Sequence, residues 1–285
     1  MQPIKSSVCL LNSVSIFCCH LNGMSDSGFE TSCVTSLSLR NFNDLHHTGG
    51  SAPMIVFDDA DIDVAVRMVI ASKFRNAGQT CISGNRILVQ RHVHDRFSKK
   101  LVERVQKLKI GHGMREGVSL GPLIDSSGCD KVKQHVEDAV TRGGEIVYGG
   151  SKATPDRLGD ESLQGSFYMP TVLLNSVPDM RIWKEETFGP VCPIMQFDSE
   201  EEAVTLANNT EYGLAAYYFT SDLGRSWRVG EALNYGLVGC NDVVVSLDSV
   251  PFGGWKSSGI GREGGIGSLD DFLEKKTFIV GGLNN

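Results

Sequence analysis

The chain of 285 residues carries 34 acidic against 27 basic side chains, a net charge of −7, and no basic cluster, which excludes a nucleic-acid surface. No run approaches the roughly 18 consecutive apolar residues of a membrane span, so no membrane partner is expected. Its eight cysteines include no C-x-x-C pair, and the length allows one large domain or two with a real core. A zinc site, any other metal and a disulfide framework are therefore not expected, and the thiols read as reduced in an intracellular compartment, cytoplasmic or mitochondrial.

Residues 1–48 are rich in Ser, Cys, Asn and Leu and hold no sustained period. They are expected to be a poorly ordered leader. Its apolar run 8–19 faintly resembles a secretory signal, but Asn12 and Ser13 interrupt it and no small-residue cleavage site follows. From Gly49 the pattern changes. Residues 54–57 read as a buried strand, and Asp58, Asp59 and Asp61 offer capping oxygens for a helix. Ile62, Val66, Val69, Ile70 and Phe74 give that helix one buried face, with Gly78 as its stop. A strand is predicted over 87–90, then a helix lined by Phe97, Leu101, Val105 and Leu108 and closed by Gly111. A third helix fits 127–142, stopped by Gly143 and Gly144, with a strand over 145–148 and an exposed loop over 150–165. Strands follow over 171–174 and 191–197, a helix from Ser199, a strand over 214–219, a helix near 226–233 and a strand over 237–240. The tail, 272–280, reads as a last edge strand. Strands alternating with helices imply an α/β fold with a largely parallel sheet.

Four stretches carry possible chemistry. Residues 74–81 read Phe-Arg-Asn-Ala-Gly-Gln-Thr-Cys and end in a thiol between a helix and a strand. Alone, Cys81 reads as a packed core cysteine. Residues 185–190, Glu-Glu-Thr-Phe-Gly-Pro, read as a charged turn, and residues 251–259 as a rigid glycine loop. Residues 259–264 match G-x-G-x-x-G letter for letter, yet no strand leads into them and the chain ends about twenty residues on, so a dinucleotide loop is rejected. His47, His92, His94, His112 and His135 lack metal spacing and read as surface or satisfied histidines.

Taken together and in order, Gly49-Gly50, the 74–81 stretch, the 185–190 turn and residues 252–263 resemble the aldehyde dehydrogenase superfamily from about residue 49 to the end. Asn85-Arg86 after the cysteine is most similar to its succinate-semialdehyde branch. The resemblance implies a catalytic domain over 49–258 and a segment 259–285 whose tail strand serves oligomerisation. It implies that Cys81 is the catalytic nucleophile, attacking a small-molecule aldehyde to give a thiohemiacetal and then a thioester, with its own N–H in the oxyanion hole. The thiol must be activated, since an ordinary cysteine has a pKa near ~8.5. NAD or NADP would take the hydride, with Glu186 on the nicotinamide ribose and Phe188 beside the nicotinamide. Arg75 would hold a distal carboxylate bidentately, with Ser246 as a weaker candidate. Ser83 stands where the branch often has a second cysteine, so a redox switch there is not expected.

The chain departs from the resemblance in one place. Where the family reads Glu-Leu-Gly-Gly, with the glutamate as general base, the sequence is His47-Thr48-Gly49-Gly50. Most of the cofactor domain that precedes this point in the family has no counterpart in residues 1–48. Nothing in the neighbouring sequence fixes His47 as a substitute base, since geometry comes first. The chain is expected to be a truncated product, weakly active or inactive alone. The alternative is a non-catalytic pseudoenzyme or an oligomerisation partner of full-length subunits; in either case a homo-oligomer or a pairing with full-length subunits is expected.

Overall fold

Strands that read as unbroken apolar runs need cover on both faces, and a parallel sheet between helices provides it. The computed structural model describes residues 46, 47, 49–155, 165–270, 273 and 276–279. Its main sheet is built from β1 (Ala52–Val56), β2 (Gly84–Gln90), β3 (Glu145–Tyr148), β4 (Thr171–Leu174), β5 (Val191–Phe197), β6 (Ala215–Phe219) and β7 (Leu237–Cys240). The order is β3-β4-β5-β2-β1-β6-β7. Every pairing is parallel except the β3–β4 edge, which is antiparallel. The α/β reading holds. All residues of the central strands β1 and β2 are buried, as their lack of alternation requires.

The helices are α1 (Ile62–Lys73), α2 (Arg91–Val105), α3 (Ser126–Thr141), the single turn α4 (Arg181–Lys184), α5 (Glu200–Asn208) and α6 (Leu223–Ala232). Asp61 caps α1 by accepting the N–H groups of Asp63 and Val64, and Ser199 caps α5 through the Glu202 N–H. Ile62, Val66, Val69 and Phe74 are buried as the period requires. Two ends fall short of their glycines. Helix α1 stops at Lys73, because Asn76 and Ala77 adopt left-handed backbone inside the short 3-10 turn Arg75–Gly78. Helix α2 stops at Val105, and Leu108 packs on the core from the segment beyond it.

The 150–165 loop is less exposed than expected: Ala153 is 5% accessible and packs with Phe167. The rest of it, 156–164, lies outside the described residues. So does the expected leader, apart from His46–His47, whose backbone pairs antiparallel with Gly259–Ile260. That pairing also disposes of the G-x-G-x-x-G match, which opens no helix. The tail strand is not formed among the described residues: Leu273 and residues 276–279 carry no strand, and the remainder of 272–280 lies outside them. Among the described residues no helix is long and apolar enough to cross a membrane.

At the carboxyl edge of the sheet, Asp59 ties β1 to β6. Its carboxylate accepts Thr220 Oγ1 at 2.6 Å and the Ser221 and Asp222 N–H groups at 2.9 Å each, and it pairs with Arg225. Burial works against this charge, but the Thr220, Ser221, Asp222 and Arg225 contacts outweigh it and hold the carboxyl below its usual range. Asp59→Ala should lower stability by about 2–3 kcal/mol, the scale of hydrogen bonds to a charged group in a partly buried setting. Urea unfolding checks it, and a loss below about 0.5 kcal/mol, the range of an ordinary surface substitution, would contradict it.

Candidate active site

The 74–81 stretch is shaped by its backbone. Asn76, Ala77 and Gly78 take φ of 50°, 54° and 77° in succession. Left-handed backbone strains non-glycine residues by about 1–3 kcal/mol and must be held by its surroundings. Asn76 Nδ2 donates to the Gln79 carbonyl at 3.0 Å, while Gln79 Nε2 donates to the Asn76 carbonyl at 3.1 Å. Gln79 Oε1 also accepts the Ile124 N–H at 2.9 Å. Asn76 and Gln79 thus clasp the turn that presents Cys81, whose residue is 8% exposed just before β2.

Three further segments converge on this turn at the amino edge of the parallel strands. A Cβ built on Gly50, before β1, would lie 2.4 Å from the Cys81 carbonyl oxygen. One built on Gly78 would lie 2.2 Å from the Gly189 carbonyl, before β5. Neither contact tolerates a side chain. The Gly50 N–H donates to Glu186 Oε1 at 3.1 Å, and Gly49, at φ +88°, lies so close that a Cβ would meet Glu186 Oε2 at 3.0 Å. Ser258 closes the third side: its Oγ donates to the Gly49 carbonyl and accepts the Gly213 N–H, both at 2.9 Å.

A cleft of about 280 Å³ opens in front of the thiol, lined by Arg75, Thr80, Cys81, Ser83, Tyr217 and Ser246 among others. The structure therefore brings Cys81, Arg75 and Ser246 to one cavity. Glu186 and Phe188 do not line it; both are half-buried, Glu186 against Gly49 and Gly50, and Phe188 is strained at φ 51°. Ser83 Oγ is occupied structurally, donating to the Ser72 carbonyl at 3.2 Å.

Several further polar groups pack around the site without being among the site residues expected from the sequence. Tyr217 Oη donates to the Ile82 carbonyl at 2.8 Å, and burial pushes its pKa up. The buried guanidinium of Arg86 donates to the Ser51, Leu206 and Ala207 carbonyls and to Tyr235 Oη. His135 is the satisfied histidine of the sequence reading: its ring meets Thr187 Oγ1 at 3.2 Å and Glu185 Oε2 at 3.1 Å. Burial brings its pKa to about 4, so it is neutral near pH 7. Its inward aim was available from helical spacing, since Val132, Val136 and Ala139 share its face. Lys73 is buried at 1% exposure; burial drags its pKa down to about 8 against the pull of Cys192 and Glu186.

The aldehyde dehydrogenase family matches residues 40–278, beginning upstream of the expected boundary at Gly49. Among curated relatives, the mitochondrial succinate-semialdehyde dehydrogenase of Oryza sativa subsp. japonica is 49% identical over 236 residues, 83% of this chain and 43% of its own length. The NADP(+) succinate-semialdehyde dehydrogenase of Escherichia coli (strain K12) is 48% identical over 82% of this chain and 47% of its own. The crystal structure of succinate-semialdehyde dehydrogenase from Burkholderia pseudomallei superposes with a TM-score of 0.76 at 50% identity, covering 80% of this chain and 45% of that one. The chain thus spans a little under half the length of the relatives it matches.

Gly50→Ala should displace the Cys81 carbonyl and its strand. We expect a stability loss of about 1–3 kcal/mol, the scale of overpacking, and an altered rate of Cys81 alkylation by iodoacetamide; an unchanged rate would contradict the contact. Lys73 gives a pH signature. Its pKa in the folded state, about 8 against an ordinary 10.5, means that the unfolded chain binds the proton more tightly. The resulting penalty is full below pH 8 and is relieved as pH rises to 10.5. Lys73→Met should therefore raise Tm at pH 7, with a gain of at most about 3 kcal/mol that fades above pH 8. A pH-independent difference between the two proteins in thermal melts would refute this.

Proposed function

The chain belongs to the aldehyde dehydrogenase family, and from that premise we propose that its site oxidises a small aldehyde bearing a distal carboxylate, succinate semialdehyde or a close relative, with NAD or NADP as hydride acceptor. The observation that carries this reading is the shared cleft of Cys81, Arg75 and Ser246. A carboxylate anchored on the Arg75 guanidinium, with Ser246 as an additional donor, directs the aldehyde end of a short chain towards the thiol. The 48–49% identity to succinate-semialdehyde dehydrogenases supports the same substrate class.

Glu186 and the glycine pair suit a cofactor. The carboxylate is fixed by the Gly50 N–H, and Gly49 leaves beside it a space that a Cβ would fill. A carboxylate so held accepts ribose hydroxyls, and Phe188 supplies an aromatic edge near by. NAD(P), when bound, takes the hydride. The chain's own residues perform the rest. Cys81, as thiolate, adds to the aldehyde carbon, and its N–H stabilises the oxyanion of the thiohemiacetal. Loss of hydride leaves a thioester on Cys81, which water cleaves with the help of a base. At the position where the resemblance expects that base as a glutamate, the chain has His47.

A second reading, a subunit that acts through assembly, draws support from the exposed Phe278 and Ile279 in the expected tail strand. In it the tail strand forms against another chain. One experiment separates the two. Mixed with succinate semialdehyde and NAD(P)+, the chain should form NAD(P)H stoichiometric with Cys81 and leave a succinyl thioester on that residue, detected by mass spectrometry. Arg75→Gln should slow this burst by about 10- to 100-fold, the scale of a lost charge-assisted contact, and leave the reaction with butanal unchanged. No burst, or a burst that persists in Cys81→Ala, favours the assembly reading.

A further inference from the structure

Four residues beyond Cys81, Asn85 lies at the start of β2 with its carboxamide buried at 3% exposure. Its Nδ2 donates to the Glu185 carbonyl at 3.2 Å, the Ile182 carbonyl at 3.3 Å and Ser51 Oγ at 3.4 Å. Its Oδ1 accepts the Thr187 N–H at 3.3 Å. The Glu185 carbonyl and the Thr187 N–H are the two backbone groups that an adjacent strand would engage around residue 186. A carboxamide presents a donor and an acceptor side by side, as a peptide does. Asn85 therefore acts as a one-residue strand partner for this turn.

Glu186 lies between those two bonds. Its carboxylate is met by the Gly50 N–H at 3.1 Å, and the next residue, Ser51, is also a partner of Asn85. Gly50 in turn abuts the Cys81 carbonyl. A single buried amide thus bonds to the segments on both sides of the Glu186–Gly50 contact while riding on the strand that Cys81 precedes. Behind the turn, His135 grips Thr187 and Glu185 by their side chains, which leaves their backbone groups to Asn85.

We propose that Asn85 is a positioning residue that sets the Glu186 carboxylate relative to Cys81, acting through the 185–187 turn and Ser51. The proposal rests on the reading of Glu186 as the ribose contact. A merely structural amide would, when removed, lower stability and leave Glu186 to act independently. A positioning amide passes its effect through Glu186, so the two substitutions are non-additive.

The test is binding of NADH and NADPH, followed by their fluorescence, to the full 285-residue chain. Wild type is compared with Asn85→Ser, Asn85→Asp, Glu186→Gln and the Asn85→Ser/Glu186→Gln double variant. We expect Asn85→Ser and Glu186→Gln each to weaken binding about tenfold, the scale of one hydrogen bond, and the double variant to bind no more weakly than Glu186→Gln alone. Asn85→Asp keeps the acceptor for Thr187 but lacks the donor, and should match Asn85→Ser. Additive losses, or wild-type affinity in Asn85→Ser, overturn the role of Asn85 and leave that of Glu186 standing. Wild-type affinity in Glu186→Gln, or no binding by the wild type, overturns the ribose reading and the proposal with it. Loss of cooperative thermal unfolding in both Asn85 variants would assign the residue to the fold and also overturn it.

Discussion

The constraint on which the candidate site depends is the contact between Gly50 and the Cys81 carbonyl, where a Cβ on Gly50 would lie only 2.4 Å from the oxygen. Two adjacent parallel strands, β1 and β2, begin at this point. Their register, Met54 opposite Ile87 and Ile55 opposite Leu88, fixes how near their leading residues come. Once a backbone is pressed against the residue that carries the thiol, the thiol's direction follows from the sheet rather than from a loop's preference. The Gly78–Gly189 contact repeats the device between the cysteine turn and the lead-in to β5. Close approach of main chain to main chain, possible only at glycine, makes the site stiff.

This geometry puts the Cys81 cleft at the amino edge of the sheet. In open parallel sheets the usual ligand crevice lies beyond the carboxyl ends. Here the carboxyl edge is occupied otherwise: Asp59, Thr220, Arg225 and Glu200 form a salt-bridged clasp there. The amino edge is free to gather unlike pieces, a thiol turn, a glycine pair, a carboxylate turn and a serine from the C-terminal loop. Arg75 and Ser246 line the cleft with Cys81, whereas Glu186 sits against Gly49 and Gly50 and does not line it.

The sequence was most legible where chemistry and backbone geometry demand the same letters. Gly49-Gly50, the Asn-Ala-Gly-Gln run and the Gly189 turn are short motifs because each glycine or clasping amide has one conformational task. The sheet was equally readable from apolar runs, and β3, β4, β5 and β7 begin and end where the pattern places them. Helix ends were less so. Gly78 reads as the stop of α1, but the chain leaves the helix at Lys73 through left-handed Asn76 and Ala77; asparagine tolerates that backbone, whereas Ala77 gives no such signal. Least visible were buried polar groups. The sequence marks Asn85-Arg86 only as part of a resemblance and gives Lys73 and Tyr217 no role, since the partners of such groups lie far along the chain: the Asn85–Glu185 bond spans 100 positions and the Arg86–Tyr235 bond 149. The tail, expected as a strand, has none among its described residues.

The order in which the strands sit also bears on how the protein is made. Strand β1 is central, but its second neighbour is β6, with Met54 opposite Tyr217, and Ser258 reaches Gly49 across 209 positions. During synthesis, when emerging domains fold as units, β1 and β2 pair early while one flank of β1 stays open until β6 leaves the ribosome. That flank is an apolar strand edge, the kind that invites wrong partners. The glycine cradle at residue 49 is closed only when the serine loop arrives. The nascent chain therefore exposes an open strand edge and lacks the closed glycine cradle over the same interval.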